Sequence, residues 1–261
     1  MTIFLLPPSE TKNDATGKAK LNLKNLSFPE LTKPRTLALE SLITLCESSP
    51  AKARTVLGLS QKQDFERERN IKLKSTAAAP AWKVYSGVLF DALNPGALSS
   101  AALKKLSKHF YVQSAMFGLI SLGDVIPAYR LSADSKLPKI DSLSNIWTKP
   151  CTEIFQSLDE LIVDLRSSQY ANLAPLPKSA AEQVVVVKIL QKMPSGPPKV
   201  VSHHNKATKG RIIRQLVTSG TIPVTVDQLG KGIAKLKADV DLIKPSRSGQ
   251  PMTLNVVVSV L

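Results

Sequence analysis

The sequence predicts an α/β fold, a mixed sheet with flanking helices, in a chain of 261 residues. Short apolar and β-branched runs are typical of buried strands, and amphipathic stretches of helical period lie between them. The strand-like runs cover residues 3–6, 110–119, 184–190, 199–202 and 256–261. Because a chain of this length can bury a substantial core, we expect one domain over residues 1–261.

Composition narrows the class of protein. Apolar residues make up 43% and charged residues 21% of the chain, a globular balance. No apolar run approaches the roughly 20 residues that span a bilayer. The first ten residues lack the basic region and cleavage site of a signal peptide. We therefore expect a cytoplasmic protein without a membrane partner.

The cysteines and histidines predict neither a metal site nor a cofactor. Cys46 and Cys151 lie far apart and form no CxxC unit, which argues against zinc and against a disulfide framework. His109, His203 and His204 have none of the spacings that suit a metal. Three histidines without an acidic cluster also make a poor iron site, so we do not expect direct iron sequestration.

Positive charge is concentrated in the last third of the chain. The net charge is +15. Residues 188–261 hold twelve basic and three acidic residues, which is +9, against +6 for the rest. Such an excess is typical of a polyanion partner, although an ordinary cationic surface is the alternative. No long basic amphipathic helix favours a membrane, so nucleic acid is the expected partner, and the charge alone does not choose between DNA and RNA.

The first strand ends at two prolines, and the polar turn Ser9-Glu10-Thr11-Lys12 follows it. The turn offers hydroxyls, one carboxylate and one ammonium. It has no glycines and is too short for a Walker motif. We take Ser9 and Lys12 as candidate phosphate contacts, and Glu10 and Lys12 as candidate catalytic groups.

Residues 34–70 predict short helices around a turn at Gly58. Pro34 suits a first helical turn, and Ser60 could cap the helix that runs to Arg69. A helix, a tight apolar-Gly-apolar turn and a further helix resemble a helix–hairpin–helix unit, whose backbone N–H groups at Gly58 can bind phosphate. An ordinary αα-corner with a C-capping glycine fits equally well.

The middle of the chain predicts helices over residues 99–109 and 144–166, with the strand at 110–119 turning at Gly118. The loop that carries Tyr129 and Arg130 lies between this strand and the second of the two helices. A ring and a guanidinium on one loop can stack a base and bind a phosphate. The alternative is that Tyr129 packs in the core and Arg130 pairs with Asp124.

The segment 203–214 follows a predicted strand and opens a helix, where anions bind readily. Lys209 falls among the apolar positions of that helix, and Arg211 and Arg214 fall opposite. A lysine there costs free energy unless its ammonium reaches solvent or an anion. Lys209 therefore either snorkels outward or lines a basic cleft.

We take four residues of this segment as candidate phosphate contacts: Lys206, Lys209, Arg211 and Arg214. If the two histidines end a strand they point to opposite sides, and we expect His204 to face the cleft. A histidine without a visible partner acid is a weak catalytic signal.

Several motifs occur in a fixed order along the whole chain. They are Leu5-Leu6-Pro7-Pro8-Ser9-Glu10-Thr11-Lys12, Tyr85-Ser86-Gly87 with Leu93, Phe117-Gly118 through Asp124, Ile126-Pro127 with Tyr129-Arg130-Leu131, Asn172-Leu173-Ala174, and His204-Asn205-Lys206 through Lys209-Gly210 with Arg214. In these motifs the chain resembles the YaaA family of peroxide-stress proteins. Pro175 and the stretch Ala79-Pro80-Ala81 depart from the family pattern.

The resemblance implies a bacterial cytoplasmic protein that limits oxidative damage where iron and peroxide meet. It also implies a YaaA-like fold with a helix–hairpin–helix element, a positively charged cleft and DNA binding. The departures at Pro175 and at Ala79-Pro80-Ala81 put the chemistry of that part of the cleft in doubt. They do not affect the expected fold.

Two functions follow from the sequence. The first is a DNA-binding protein of the peroxide-stress response. The alternative is an enzyme acting on a nucleotide or nucleobase in the basic cleft. The pocket would be lined by Ser9, Glu10, Lys12, Tyr85, Tyr129, Arg130, His204, Lys206 and Lys209, with Glu10 or His204 transferring a proton. The enzyme hypothesis requires Lys12, Tyr129 and Lys209 to lie within about 15 Å of each other.

Overall fold

The computed structural model describes residues 2–200 and 202–259, without the side chains of residues 202–204. Its strands are β1 (Thr2–Leu6), β2 (Ala79–Pro80), β3 (Phe110–Ser114), β4 (Gly118–Ser121), β5 (Val125–Ile126), β6 (Leu161–Asp164), β7 (Val184–Gln191), β8 (Asp239–Ile243) and β9 (Met252–Val258). Its helices are α1 (Thr32–Ser48), α2 (Pro50–Leu57), α3 (Asp64–Ile71), α4 (Ala81–Val84), α5 (Val88–Leu93), α6 (Ser100–His109), α7 (Leu143–Gln156), α8 (Ser168–Leu173), α9 (Ser202–Thr218) and α10 (Val226–Ala234). Across the described residues, no helix has the length and apolarity needed to cross a membrane.

Seven of the strands form one mixed sheet in the order β4-β3-β1-β6-β7-β9-β8. The five inner strands run parallel, and β4 and β8 run antiparallel at the two edges. Helices flank this sheet, so the predicted α/β class is confirmed. The carboxyl ends of β1 and β6 lie side by side, and this places the candidate site.

The strand β1 is an inner strand of the sheet, between β3 and β6. All five of its residues are buried, as expected for a parallel strand covered on both faces. Phe4 pairs with Phe110 of β3, and their rings stack with centroids 4.4 Å apart. On the other side, Ile3 pairs with Ile162 of β6. The short apolar run at the start of the sequence therefore forms the middle of the core.

The predicted helix over residues 144–166 is wrong in its second half. Helix α7 ends at Gln156, and residues 161–164 form β6 between β1 and β7. The leucines at 158, 161 and 165 fit a helical period, but residues 161–163 also form a continuous apolar run. Periodicity alone does not separate a buried strand from a buried helix segment. Pairing with β1 decides the outcome here.

Three other predicted strands need smaller corrections. The run at 110–119 is two strands, β3 and β4, joined by a tight turn with φ of 65° at Gly118. At 199–202, Lys199 forms only an isolated bridge with Gln191, and α9 already begins at Ser202. The last strand is β9, which starts and ends earlier than predicted, and residues 260–261 lie outside the described part.

The turn at Gly58 caps a helix. Gly58 has a φ of 62° and its N–H donates to the carbonyl of Thr55 at 3.4 Å. The N–H of Leu59 donates to the carbonyl of Arg54 at 2.9 Å. Because both N–H groups bind carbonyls of α2, the geometry is that of an αα-corner with a glycine cap. The helix–hairpin–helix interpretation and a phosphate contact at Gly58 are not confirmed.

The fully buried side chain of Arg35 connects helix α1 to the edge strand β4 through hydrogen bonds. Arg35 donates to the carbonyls of Phe117 at 2.9 Å and Leu119 at 2.8 Å. It also donates to the carbonyls of Ser27 at 2.7 Å and Phe28 at 3.2 Å. Burial lowers the pKa of Arg35 to about 10. The guanidinium therefore provides donors for four backbone carbonyls, of which those of Phe117 and Leu119 are bound in the buried interior.

Helices α5 and α9 pack with almost no space between their backbones. A Cβ added at Gly210 would overlap the carbonyl oxygen of Leu89 and lie 2.9 Å from Cβ of Ala92. It would also lie 3.0 Å from the backbone nitrogen of Leu93. The glycine thus permits the close approach that brings Lys209, one residue earlier, to the end of β6.

Candidate functional site

The polar turn after β1 lies against the segment that leads into α5. Lys12 and Tyr85 form an isolated antiparallel bridge, and the N–H of Ser86 donates to the carbonyl of Thr11 at 3.3 Å. Gly87 has a φ of 87°, and a Cβ there would lie 2.8 Å from Oγ1 of Thr11. A side chain at Gly87 would push the turn away, so the glycine allows this contact.

Lys12 places a buried amine in this cluster. Its ammonium donates to the carbonyl of Ser9 at 2.7 Å and to that of Glu10 at 3.4 Å. It lies 4.1 Å from the ring centroid of Tyr129 and 5.5 Å from that of Tyr85, within cation–π range. Burial lowers the pKa of Lys12 to about 7, against the raising effect of Glu10. Neutral and charged amine therefore coexist near neutral pH.

Two tyrosines and a serine form a buried hydrogen-bond chain beside Lys12. The hydroxyls of Tyr85 and Tyr129 are 2.9 Å apart, and that of Tyr129 is 2.7 Å from Oγ of Ser114. Ser114 also accepts hydrogen bonds from the N–H groups of Met116 and Phe117, both at 3.1 Å. Burial raises the pKa of both phenols, so they keep their protons. The chain fixes the Tyr129 ring under the amine.

Glu10 provides a carboxylate in the cluster. Arg130 forms an ion pair with it at 3.0 Å, and the hydroxyls of Ser132 and Tyr170 donate to it at 3.0 and 3.4 Å. The Asn70 amide makes two hydrogen bonds to the backbone of Arg130, at 2.8 and 2.9 Å. Nε of Arg130 is buried and has no acceptor among the described residues. Arg130 is thus held at its backbone and at one end of its guanidinium.

Lys209 lies at the carboxyl end of β6. Its ammonium donates to the carbonyl of Leu165 at 2.7 Å and to that of Arg166 at 3.4 Å. The N–H of Leu165 donates to the carbonyl of Leu5 at 2.8 Å, which joins this point to β1. Burial lowers the pKa of Lys209 to about 8, while the nearby charge of Asp164 works in the opposite direction.

A buried ion pair shapes the same strand end. Arg166 donates to both carboxylate oxygens of Asp164, at 3.0 and 2.8 Å, and its backbone N–H donates to the first oxygen at 2.9 Å. The guanidinium also donates to the carbonyl of Ala174 at 2.7 Å. A bidentate pair of this kind holds the turn after β6 in one geometry.

The arginines and the lysines of the site differ in their partners. Arg130 and Arg166 are each paired with a carboxylate. Within the part of the chain that the structure describes, neither Lys12 nor Lys209 forms an ion pair. Below pH of about 7 to 8 each lysine is a cation that binds no carboxylate directly, although the charges of Glu10 and Asp164 raise the pKa of Lys12 and Lys209 respectively.

Most of the predicted site residues lie in this one region. The contact cluster around Lys12 contains Ser9, Glu10, Tyr85, Tyr129 and Arg130, and Lys209 lies at the neighbouring strand end. Tyr129 is buried, but Arg130 pairs with Glu10 rather than with Asp124, which binds Ser27. Lys209 is 7% exposed and does not snorkel. Phosphate binding by these residues stays a prediction.

The charge of Lys206 contributes to the lowered pKa of Lys209, so Lys206 lies near the site, whereas Arg214 has other partners. Lys206 and Arg211 are exposed. Arg214 donates to the carbonyls of Leu93 and Asn94 at 2.9 and 3.0 Å, so it caps the end of α5. Its guanidinium is occupied there, which gives no support to its predicted phosphate contact. A continuous basic cleft is not confirmed.

The side chain of His204 lies outside the described residues. Its predicted position in the cleft and its catalytic role remain predictions. Among the side chains that are described, no three His, Cys, Asp or Glu residues form a group that could hold a metal ion.

Sequence reasoning missed several residues that build the site. They are Asn70, Ser114, Ser132, Asp164, Arg166 and Tyr170. For Asp164 and Arg166 the sequence held a signal, because Asp164 comes directly after the short apolar run at 161–163 and Arg166 follows two residues later. Polar residues at the carboxyl end of a parallel strand commonly belong to a site, but the prediction of a helix there concealed the pattern.

Comparison with known proteins identifies relatives along the whole chain. A family model described as peroxide stress protein YaaA matches residues 1–231. A UPF0246 protein of Streptomyces coelicolor is 38% identical over 258 residues, which is 98% of each chain. One from Corynebacterium efficiens is 39% identical over 261 residues, 98% of this chain and 100% of the relative. A UPF0246 protein of Bacteroides thetaiotaomicron is 24% identical over 209 residues, 76% of this chain and 81% of that one.

Proposed function

The chain belongs to the peroxide stress protein YaaA family, and on this premise we propose that it acts in the peroxide-stress response as a cytoplasmic DNA-binding protein. By binding DNA, it protects against damage that iron and peroxide cause together. The observation that carries the proposal is the net charge of +15, with the basic side chains of Lys206 and Arg211 exposed on α9. A polyanion is the ligand that such an arrangement attracts.

Binding would depend mainly on phosphate contacts. Lys206 and Arg211 are exposed on α9, the helix that also carries Lys209, and can reach a DNA backbone. Contacts of this kind carry no sequence information. Affinity would therefore be largely independent of sequence and would fall as salt rises.

Fluorescence anisotropy with a labelled duplex tests the proposal. We expect binding at about 50 mM salt and a linear fall of log affinity with log salt concentration. Lys206→Ala and Arg211→Ala should each reduce the salt slope by about 1. Lys149→Ala, an exposed lysine on α7, is the matched control and should leave the slope unchanged. Absence of binding to duplex and to structured DNA at low salt would overturn the proposal.

The peroxide role has a separate test in cells. A strain lacking the protein should lose viability faster under hydrogen peroxide than its parent, and a cell-permeable iron chelator should remove the difference. Equal survival of the two strains under peroxide would contradict the role. A difference that persists with chelator would contradict the link to iron.

The second candidate function is an enzyme that acts on a nucleotide or nucleobase. The observation in its favour is the gathering of Glu10, Lys12, Tyr85 and Tyr129, with an amine whose pKa is about 7. Such an amine can give or take a proton at neutral pH. The enzyme hypothesis requires Lys12 and Tyr129 to lie within about 15 Å of each other. The ammonium of Lys12 is 4.1 Å from the centroid of the Tyr129 ring, which meets this requirement.

Calorimetric titration distinguishes the enzyme from the DNA-binding protein. A nucleotide-binding pocket predicts saturable binding of a nucleoside monophosphate to the wild type and loss of binding in Lys12→Met. Binding of duplex DNA without any measurable binding of mononucleotides would exclude the second function.

A further inference from the structure

Lys12 has surroundings that a purely structural lysine would not need. Its side chain is 9% exposed, and its ammonium contacts two backbone carbonyls and two aromatic rings. No described carboxylate pairs with it, because Glu10 is bound by Arg130, Ser132 and Tyr170. An apolar side chain would avoid the free-energy cost of burying the ammonium. A buried amine that easily loses its proton is typical of nucleophilic lysines.

We propose that Lys12 is a nucleophile that captures the aldehyde of a phosphorylated sugar as an imine. The inference rests on the proposed function, because an abasic deoxyribose in DNA carries such an aldehyde next to phosphates. Free 2-deoxyribose 5-phosphate presents the same chemistry, and the experiment below separates the two sources.

The groups around the amine suit both parts of this ligand. The Tyr129 ring, 4.1 Å from Nζ, stabilises a cation at that nitrogen, and a protonated imine is such a cation. Nε of Arg130 is a buried donor without an acceptor, in the same cluster as Lys12. The ammonium of Lys209 lies at the neighbouring strand end. These two groups can bind the phosphate while the aldehyde reaches Lys12.

The turn whose carbonyls bind the amine is itself exposed to solvent. Glu10, with a side chain that is 44% exposed, and Thr11 directly precede Lys12 and face solvent. A sugar aldehyde, which is small, therefore needs a local movement of the turn rather than a rearrangement of the core.

The covalent step is balanced without an oxidant or reductant. The lone pair of Nζ adds to the carbonyl carbon, and the carbonyl oxygen gains a proton as the nitrogen loses one. The carbinolamine C–O bond then breaks, and the hydroxyl leaves as water with one proton from solvent. The nitrogen keeps one hydrogen as the protonated imine. Addition of water reverses the step and releases Lys12.

The depressed pKa gives Lys12 a large advantage over the other lysines. A lysine with the ordinary pKa of about 10.4 has roughly one neutral amine in a few thousand at pH 7. Lys12 has about one in two. The charged groups that influence it are Glu10, Arg130, Glu66 and Arg69, from three parts of the chain. Its capture rate should level off above about pH 8, while that of exposed lysines continues to rise.

Borohydride trapping on the wild-type protein tests the inference. The full-length chain is incubated with sodium borohydride and, in separate arms, an abasic-site duplex, the matched intact duplex and 2-deoxyribose 5-phosphate. Intact mass and peptide mapping then locate the reduced adduct. We expect a single adduct on Lys12 in at least one aldehyde arm and none with the intact duplex. The arm that reacts identifies the source of the aldehyde.

Two variants and a binding measurement complete the test. Lys12→Arg keeps the cation but cannot form an imine, so trapping should fall at least a hundredfold. The exposed-lysine control Lys149→Arg should match the wild type. Adducts spread over exposed lysines, with Lys12 unlabelled, would overturn the inference. Mapping on the wild type keeps this result independent of how any variant folds.

The same experiment separates the inference from the proposed function. Anisotropy with the intact duplex measures DNA binding without the aldehyde. Binding without an adduct on Lys12 would overturn the imine inference and leave DNA binding in place. An adduct with the free sugar phosphate, without duplex binding, would overturn DNA binding and leave the capture chemistry in place.

Discussion

Replacing Lys12 by methionine measures how strongly the fold disfavours an ammonium at that position. In the folded protein burial lowers the pKa of Lys12 from 10.5 to about 7. Between these pH values the unfolded chain binds more protons than the folded one, so the contribution of Lys12 to stability rises with pH. Methionine has a similar length and no ionisable group. The free energy of unfolding of Lys12→Met therefore lacks the increase with pH that Lys12 contributes in the wild type.

The size of the effect follows from the two pKa values. Raising the pH from 7 to 9 removes the remaining proton from Lys12 in the folded state but hardly at all in the unfolded state. The free energy of unfolding of the wild type should then rise by about 2 kcal/mol relative to Lys12→Met. Lys209 also titrates in this range, but it does so in both proteins and cancels in the difference.

Urea unfolding at pH 7, 8 and 9, followed by circular dichroism, provides the measurement. The control is Lys149→Met, which replaces an exposed lysine and should follow the wild type at every pH. Parallel profiles for the wild type and Lys12→Met, within about 0.5 kcal/mol, would refute the reasoning. They would mean that the amine keeps an ordinary pKa in the folded protein.

Three further predictions concern the core. Burial raises the pKa of Cys46 and of Cys151 to about 11, so neither thiol should react with Ellman's reagent or hydrogen peroxide until the protein is unfolded. Gly210→Ala should destabilise the fold by at least about 2 kcal/mol in urea, because the new Cβ overlaps the carbonyl of Leu89. Arg35→Met should cost about 3 kcal/mol in the same assay, because four carbonyls lose a hydrogen bond from the guanidinium, two of them in the buried interior. Labelling of the native thiols within minutes, or a loss below about 1 kcal/mol for either substitution, would contradict the corresponding prediction. Gly96→Ala, where a Cβ meets nothing within 4 Å, is the matched control for Gly210→Ala.

Two strands could be predicted because their composition and length already indicate a buried strand. The β-branched run from Val184 forms β7, and the apolar run near the start of the chain forms β1. A parallel strand needs an apolar run, and these two segments are too short and too well bounded to be helices. The segment 161–164 has the same composition, but it follows a helix of matching period, so its pairing with β1 could not be seen from local pattern.

The site shows a similar division. The sequence predicts a polar turn at Ser9 to Lys12 and a loop at Tyr129 and Arg130, and the structure brings the two together although the strand before Tyr129, β5, pairs only with β2. Arg214 has the same charge and helix as the predicted ligands, yet it caps α5. Its role depends on the close packing of α5 on α9, which is a tertiary property. Sequence spacing reveals which face of a helix carries a side chain, but not what lies opposite that face.

The position of β1 between β3 and β6 determines when the candidate site can form. Its neighbours are β3, which begins at Phe110, and β6, which ends at Asp164, so its pairings join residues that are more than 100 positions apart. Contacts of such long range slow folding, because a large loop must close before they form. At about 5–20 residues per second, synthesis needs roughly ten seconds or more to deliver β6 after β1. The turn Ser9 to Lys12 is among the first segments made, but it reaches its place only after β3 and β6 have enclosed β1.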